Sequence, residues 1–205
     1  MGIKDLTKVI QENAPGAIRN TRVADYYGKK IAIDASVSLY QILTAEENIG
    51  NPESHIVGIF DRTVKMVENG IKPVYVFDGE PPELKANELE KRKERRDEAQ
   101  AALEKAEEDG NFDNIIKMKR RLVKVTQDHV KEVKILLKFM GIPFVDAPGE
   151  AEATCAELVK DGMVYAVGTE DMDALAFGAT VVLRNLAGSG QNPVMEYNLL
   201  NILKG

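Results

Sequence analysis

Five short runs of consecutive apolar residues constrain the fold of this chain more than anything else in it. They are Ile31-Ala32-Ile33, Val74-Tyr75-Val76-Phe77, Pro143-Phe144-Val145, Val164-Tyr165-Ala166-Val167 and Val181-Val182-Leu183. Most are continuous rather than alternating, the pattern of strands buried on both faces of a sheet. Helix-length stretches fall between them, at about 36–45, 55–69, 126–140 and 150–160. Several of these end at a glycine, Gly70, Gly141 or Gly162, the residue type that closes a helix in the left-handed conformation. Strands alternating with helices predict an α/β fold: a mainly parallel central sheet with helices on both faces. A chain of 205 residues suffices for one domain with a sizeable core.

One segment breaks this rhythm. Residues 83–125 carry no strand signal and are rich in Lys, Glu and Ala, which predicts two helices broken near Asp109-Gly110-Asn111. The first half has too few apolar positions to present a core face, so the segment is expected to project from the body. Charge marks the same region. The net charge is −6, yet residues 85–138 hold 15 of the 27 Lys and Arg against 12 acids. Two basic runs stand out, Lys91-Arg92-Lys93-Glu94-Arg95-Arg96 and 117–124. A basic insert on an acidic body points to a polyanionic partner. The plainer reading is a solvated helix laced by Glu–Lys pairs, and Lys105, Lys131 and Lys134 fit it.

The acids are placed with respect to the strands. Asp34 follows the first run directly and Asp78 the second. Glu150 and Glu152 come just after the third, beyond Pro148-Gly149, and Asp171 and Asp173 just after the fourth. In a parallel sheet these strand ends share one edge, where open α/β proteins bind ligands. Six carboxylates gathered there would repel one another unless divalent cations lay between them. Mg²⁺ prefers carboxylate oxygens, and a pair of ions about 4 Å apart suits phosphoryl displacement. Each acid alone has a simpler use, as a turn former, a helix N-cap or a first-turn helix acid. The pattern across four strand ends is what favours the metal reading. His55 and His129, the two histidines, are expected in surface or capping roles, and nothing supports Ser-His-Asp chemistry.

Other classes are set aside quickly. No apolar run approaches the roughly 20 residues of a membrane span. Residues 1–14 mix charge with apolar residues, unlike a signal peptide. Leu6 stands where a myristoylation signal needs Ser or Thr. The single Cys155 excludes an internal disulfide and suits an intracellular, reducing compartment.

Four motifs, in order, resemble the flap endonucleases of the XPG-type 5′ nuclease superfamily. They are Ile31-Ala32-Ile33-Asp34-Ala35-Ser36; Tyr75-Val76-Phe77-Asp78-Gly79 with Pro81-Pro82 and Leu84-Lys85; Ala147-Pro148-Gly149-Glu150-Ala151-Glu152-Ala153; and Thr169-Glu170-Asp171-Met172-Asp173. Met1-Gly2-Ile3 also matches, and the likeness covers essentially the whole chain. It implies a PIN/Rossmann-like nuclease core over 1–205 with a helical arch at about 83–131, through which a 5′ single strand passes. The implied activity is Mg²⁺-dependent cutting of 5′-flaps in DNA replication and repair, with 5′–3′ exonuclease activity beside it, leaving a 5′-phosphate and a 3′-hydroxyl. Mn²⁺ is an expected substitute, and in a eukaryote the nucleus the expected location.

The same resemblance assigns roles. Asp34, Asp78, Glu150 and Glu152 would hold a first ion, and Asp171 and Asp173 a second. Lys85 and Arg92 would steer the scissile phosphate. Arg95 and Arg96 continue their face in part, Tyr40 would stack near the DNA junction, Arg62 would touch a phosphate, and Gly2 would lie near the site as a mature N-terminus. Tyr40 is equally readable as a core residue. Glu47 stands where the family often has a basic DNA contact. The family's chains extend further, through another metal-binding Asp, a helix–two-turn–helix module for duplex DNA and a peptide that docks on the sliding clamp; these are expected to be absent here. Two readings therefore compete with an active nuclease: a fragment that only binds branched DNA or self-associates, and a PIN-type ribonuclease.

Overall fold

The structure, a computed structural model, describes residues 3, 5–45, 49–80, 86–186 and 192–205, without the side chains of 86–89, 91 and 92. Seven strands form one sheet: β1 Ile18–Thr21, β2 Lys30–Asp34, β3 Lys72–Phe77, β4 Phe144–Asp146, β5 Ala166–Gly168, β6 Val181–Arg184 and β7 Val194–Asn198. Nine helices accompany them among the described residues: α1 Leu6–Asn13, α2 Ala35–Thr44, α3 Ser54–Glu68, α4 Ala86–Glu108, α5 Phe112–Leu122, α6 Gln127–Phe139, α7 Ala151–Lys160, α8 Asp173–Ala176 and α9 Leu199–Ile202. The strand order is β1-β7-β6-β5-β2-β3-β4. Strands β2 to β6 pair in parallel, whereas β7 runs antiparallel to both β6 and β1.

The five apolar runs became β2 to β6. The other two strands were not announced by the sequence, for physical reasons. β1 reads Ile-Arg-Asn-Thr and lies at the sheet edge with Arg19 and Asn20 exposed, so it needs little apolar content. β7 carries a buried acid, Glu196, in mid-strand. That carboxylate is held by the Tyr26 hydroxyl at 3.0 Å and lies 3.6 Å from the Arg19 guanidinium.

Successive residues of each strand feed opposite faces. Ile31, Ile33, Tyr75 and Phe77 pack under α2, α3 and α6 with Leu39, Ile42, Ile59, Met66, Val133 and Leu137. Ala32, Val76, Val167 and Val182 pack against Ile10 of α1, Cys155, Ala156 and Val159 of α7 and Leu175 of α8. Fully burying one such aliphatic side chain stabilises by about 1.5–3 kcal/mol. The small residues Ala151, Cys155 and Ala156 let α7 lie close against the strands.

The basic insert forms a helical hairpin, α4 and α5. The turn uses Gly110 at φ 64°, a conformation glycine adopts at little cost. Asn111 then caps α5, accepting from the Asn114 N–H. The hairpin has a small core of its own, Ala99, Leu103 and Met118 with Ile115 and Leu122 beside them. Arg120 Nε donates to the Thr44 carbonyl at 2.8 Å, joining the root of the hairpin to the last turn of α2.

Two expectations are corrected here. His55 is neither a surface nor a capping residue: it is 3% exposed, its Nε2 meets Glu132 Oε2 at 2.5 Å, and its ring lies 4.6 Å from that of His129. Docking of α6 on α3 brings these residues together, a long-range event that local sequence cannot display. His129 does cap, accepting the Thr126 N–H while Thr126 Oγ1 accepts its own. Lys134 is not a solvated lysine. Its ammonium pairs with Asp146 at 2.5 Å and lies over the rings of Phe77 and Phe144. Lys131 does form an exposed pair with Asp128.

Candidate active site

The sheet order contains one reversal. From β2 the chain proceeds outward through β3 to β4, and then returns to place β5 on the other side of β2. A crevice opens at such a switch point, outside the carboxyl ends of the strands. Asp34 ends β2 on one side of it, and the loop after β5 carries Asp171 and Asp173 on the other.

Local hydrogen bonds fix each acid. Asp34 is the N-cap of α2, its Oδ1 accepting from the Val37 N–H at 2.9 Å. The capping use and the metal use are thus compatible, because the cap holds the rotamer and a carboxylate has lone pairs to spare. Past β3 and β4 the two chains stay paired: Ala147 N–H donates to the Phe77 carbonyl and Gly79 N–H to the Gly149 carbonyl. The fit at Gly79 is so close that a Cβ there would lie 2.1 Å from the Ala147 oxygen. This pairing delivers Glu150 and the start of α7 to Asp78, whose Oδ1 accepts the Ala151 N–H at 2.7 Å. Asp171 is buried and accepts the Asp173 N–H at 3.0 Å, and Asp173 accepts the Ile3 N–H at 2.6 Å.

All six predicted acids, Asp34, Asp78, Glu150, Glu152, Asp171 and Asp173, line one cleft of about 1270 Å³. Burial pushes the Asp34 carboxyl up to about 7, and the charges of Asp78 and Asp171 add to the rise against the N–H groups of Val37 and Ser36. Cys155, buried in α7 behind them, is also pushed up, by burial first and then by Asp34, Asp78 and Glu152. Its thiol is therefore inert. A divalent cation among these acids would invert the local field. The donors are all hard oxygens, the set that suits Mg²⁺ or Mn²⁺ rather than a thiolate- or imidazole-seeking metal. Among the described residues no three acidic, His or Cys side chains are yet gathered as a finished coordination set.

Basic residues of the insert line the same cleft. They are Arg95 and Arg96 of α4, Arg121 of α5 and Lys124 of the linker to α6. Arg121 and Lys124 belong to the basic run at 117–124 but were not singled out, because helix phase within a run does not reveal which members turn inward. Tyr40, 39% exposed, and Phe177, 38% exposed, add two rings to the lining. Phe177 was missed too: in sequence it reads as one more apolar residue after Leu175. Arg62 stands outside the lining, half-buried and donating to Gln41 Oε1 at 2.9 Å. Gly2, Glu47 and Lys85 lie outside the described residues, as does the side chain of Arg92 within α4.

The chain was compared with known proteins. Residues 1–99 match the XPG N-terminal domain and residues 141–205 the XPG I-region. Flap endonuclease 1 of Nematostella vectensis is 56% identical over 99% of this chain and 56% of its own length. The chain thus spans little more than half the length of that relative. Among solved structures, the catalytic core of Rad2 in complex with DNA substrate is similar with a TM-score of 0.75 and 35% identity, over 99% of this chain and 55% of that one. The flap endonuclease-1 of Methanococcus jannaschii gives 0.67 and 36%, over 91% of this chain and 62% of that one. Motifs, fold and the two matched regions agree: the chain belongs to the XPG family.

Proposed function

We propose that this chain is the catalytic core of a divalent-metal-dependent endonuclease that cuts branched DNA at 5′-flaps. The observation that carries the reading is the cleft itself: six carboxylates from four strand ends line it together with Arg95, Arg96, Arg121 and Lys124. The acids suit metal ions and the basic side chains suit a phosphodiester backbone. Asp34, Asp78, Glu150 and Glu152 would hold one Mg²⁺, and Asp171 and Asp173 a second. When bound, the ions supply an activated water at neutral pH and charge stabilisation at the leaving oxygen. Lys85 and Arg92 steer the scissile phosphate in this reading, and Tyr40 offers a ring on which a base at the junction stacks. Arg62, whose guanidinium donates to Gln41 Oε1, would touch a phosphate in this reading. A DNA substrate of this kind is in keeping with a nuclear site of action in replication and repair.

Mg²⁺-dependent release of the flap from a labelled 5′-flap duplex by the full-length protein tests this. Asp171→Asn is expected to lower the rate by at least about 100-fold while flap binding persists, since an interaction made in the transition state is lost. Cleavage that continues in EDTA refutes the reading, and preferential cleavage of an RNA flap would move it to the ribonuclease class.

A further inference from the structure

The acid directly before Asp171, Glu170, is not among the residues that line the cleft. It turns instead into a smaller cavity behind the loop, with Met172, Arg184 and Ile3. Both its oxygens are engaged there. Oε2 accepts from Arg184 Nε at 3.1 Å, and Oε1 accepts the Asn185 N–H at 2.7 Å. Asn185 sits at φ 60°, a left-handed conformation that asparagine adopts more readily than most non-glycine residues. The loop therefore crosses to the neighbouring strand end and is clamped there.

The same loop is tied at two further points. Thr169 N–H donates to the Leu183 carbonyl, prolonging the β5–β6 pairing by one residue. The buried Thr169 hydroxyl accepts the Asp171 N–H at 3.1 Å. Every bond in this set lies within one or two residues of Asp171 or Asp173, and none is made by their metal-facing oxygens. We propose that Glu170, through Arg184 and Asn185, is a positioning residue that sets where Asp171 and Asp173 stand in the cleft, and so sets the affinity of the centre for its cation. This rests on the metal-centre reading above. The physical basis is that ligands are held to within a few tenths of an ångström by partners behind them, and loss of such a partner weakens metal binding about 10–100-fold. A merely structural clamp would lower stability alone.

Titration of the chain with Mn²⁺, followed by calorimetry and paired with thermal unfolding in the absence of metal, separates the two. Glu170→Ala is expected to weaken Mn²⁺ binding by about tenfold or more. Glu170→Gln keeps an acceptor for the Asn185 N–H and is expected to fall between alanine and wild type; it also serves if the alanine variant folds poorly. Wild-type Mn²⁺ affinity in both variants, with or without a lower Tm, overturns the proposal. Asp171→Asn is the reference. If it loses Mn²⁺ while the Glu170 variants do not, the positioning role fails and the metal centre stands. If the unsubstituted chain shows no binding that Asp171→Asn removes, the metal-centre reading has failed, and the positioning role with it.

Discussion

At the scale of single residues, the site depends on places where one atom more would not fit. Gly79 is the sharpest case. Its missing Cβ lets the chain after β3 pair with the chain after β4, and that pairing carries Glu150 to Asp78. Gly79→Ala must push the Ala147–Pro148 backbone outward, and overpacking of this kind costs about 1–3 kcal/mol. Thermal unfolding should show the loss, and Mn²⁺ affinity should fall with it because Glu150 moves with that backbone. His129 gives a second test at this scale. Burial holds its imidazole below the usual histidine value of 6.5, and the neighbouring His55 adds to the effect against Glu132 and Asp128. With a folded value below the unfolded one, the unfolded chain takes up the proton first as the pH falls. The contribution of His129 is thus complete above the ordinary histidine range and declines as the pH drops below 6.5 towards the lower folded value. Denaturant titrations at pH 7.5 and pH 5.5 should show acid destabilisation that is weaker in His129→Gln, where the glutamine keeps a capping side chain at the same helix position.

At the scale of elements, α4 and α5 behave as a unit set apart from the sheet. Their shared core is confined to a few side chains around Leu103 and Met118, separate from the two clusters that flank the strands. A region with so few buried contacts opens at lower free energy than the body. Leu103→Ala removes about 2–3 kcal/mol of packing from that small core. The expected result is faster amide exchange in residues 86–122 with exchange in β2 and β5 unchanged. Uniformly faster exchange throughout the chain would show instead that hairpin and sheet unfold together. The strands illustrate what local pattern conveys. β2 and β3 are legible because burial on both faces demands continuous apolar runs. β1 is not, because an edge strand with one exposed face demands no such run. β7 is not, because its buried Glu196 is made tolerable by Tyr26, which lies 170 residues away in sequence.

At the scale of the whole molecule, the switch point between β2 and β5 assembles acids that local structure would keep apart. Burial first, and then the charges of Asp78 and Asp171, raise the Asp34 carboxyl there. Cation binding should therefore stabilise the fold. At a hundred times the dissociation constant, Mg²⁺ or Mn²⁺ is expected to add about 2.7 kcal/mol, seen as a rise in Tm that EDTA reverses and Asp34→Asn diminishes. No helix among the described residues is long and apolar enough to cross a membrane.

The sequence alone determined the five parallel strands and the helices between them, the broken helical insert and the placing of six acids at four strand ends. These follow from short-range rules: continuous apolar runs, glycine stops, and the common edge that a parallel sheet imposes. Tertiary structure alone decided which strands are neighbours across the switch point, which basic residues of the insert line the cleft with the acids, and that Arg62 does not line the cleft. It also decided that Glu170, adjacent to Asp171 in the chain, turns its carboxylate away to clamp the next strand. Each of these depends on contacts between residues far apart in the chain, and the direction of a side chain from a loop or a helix face is set by what the rest of the molecule brings against it.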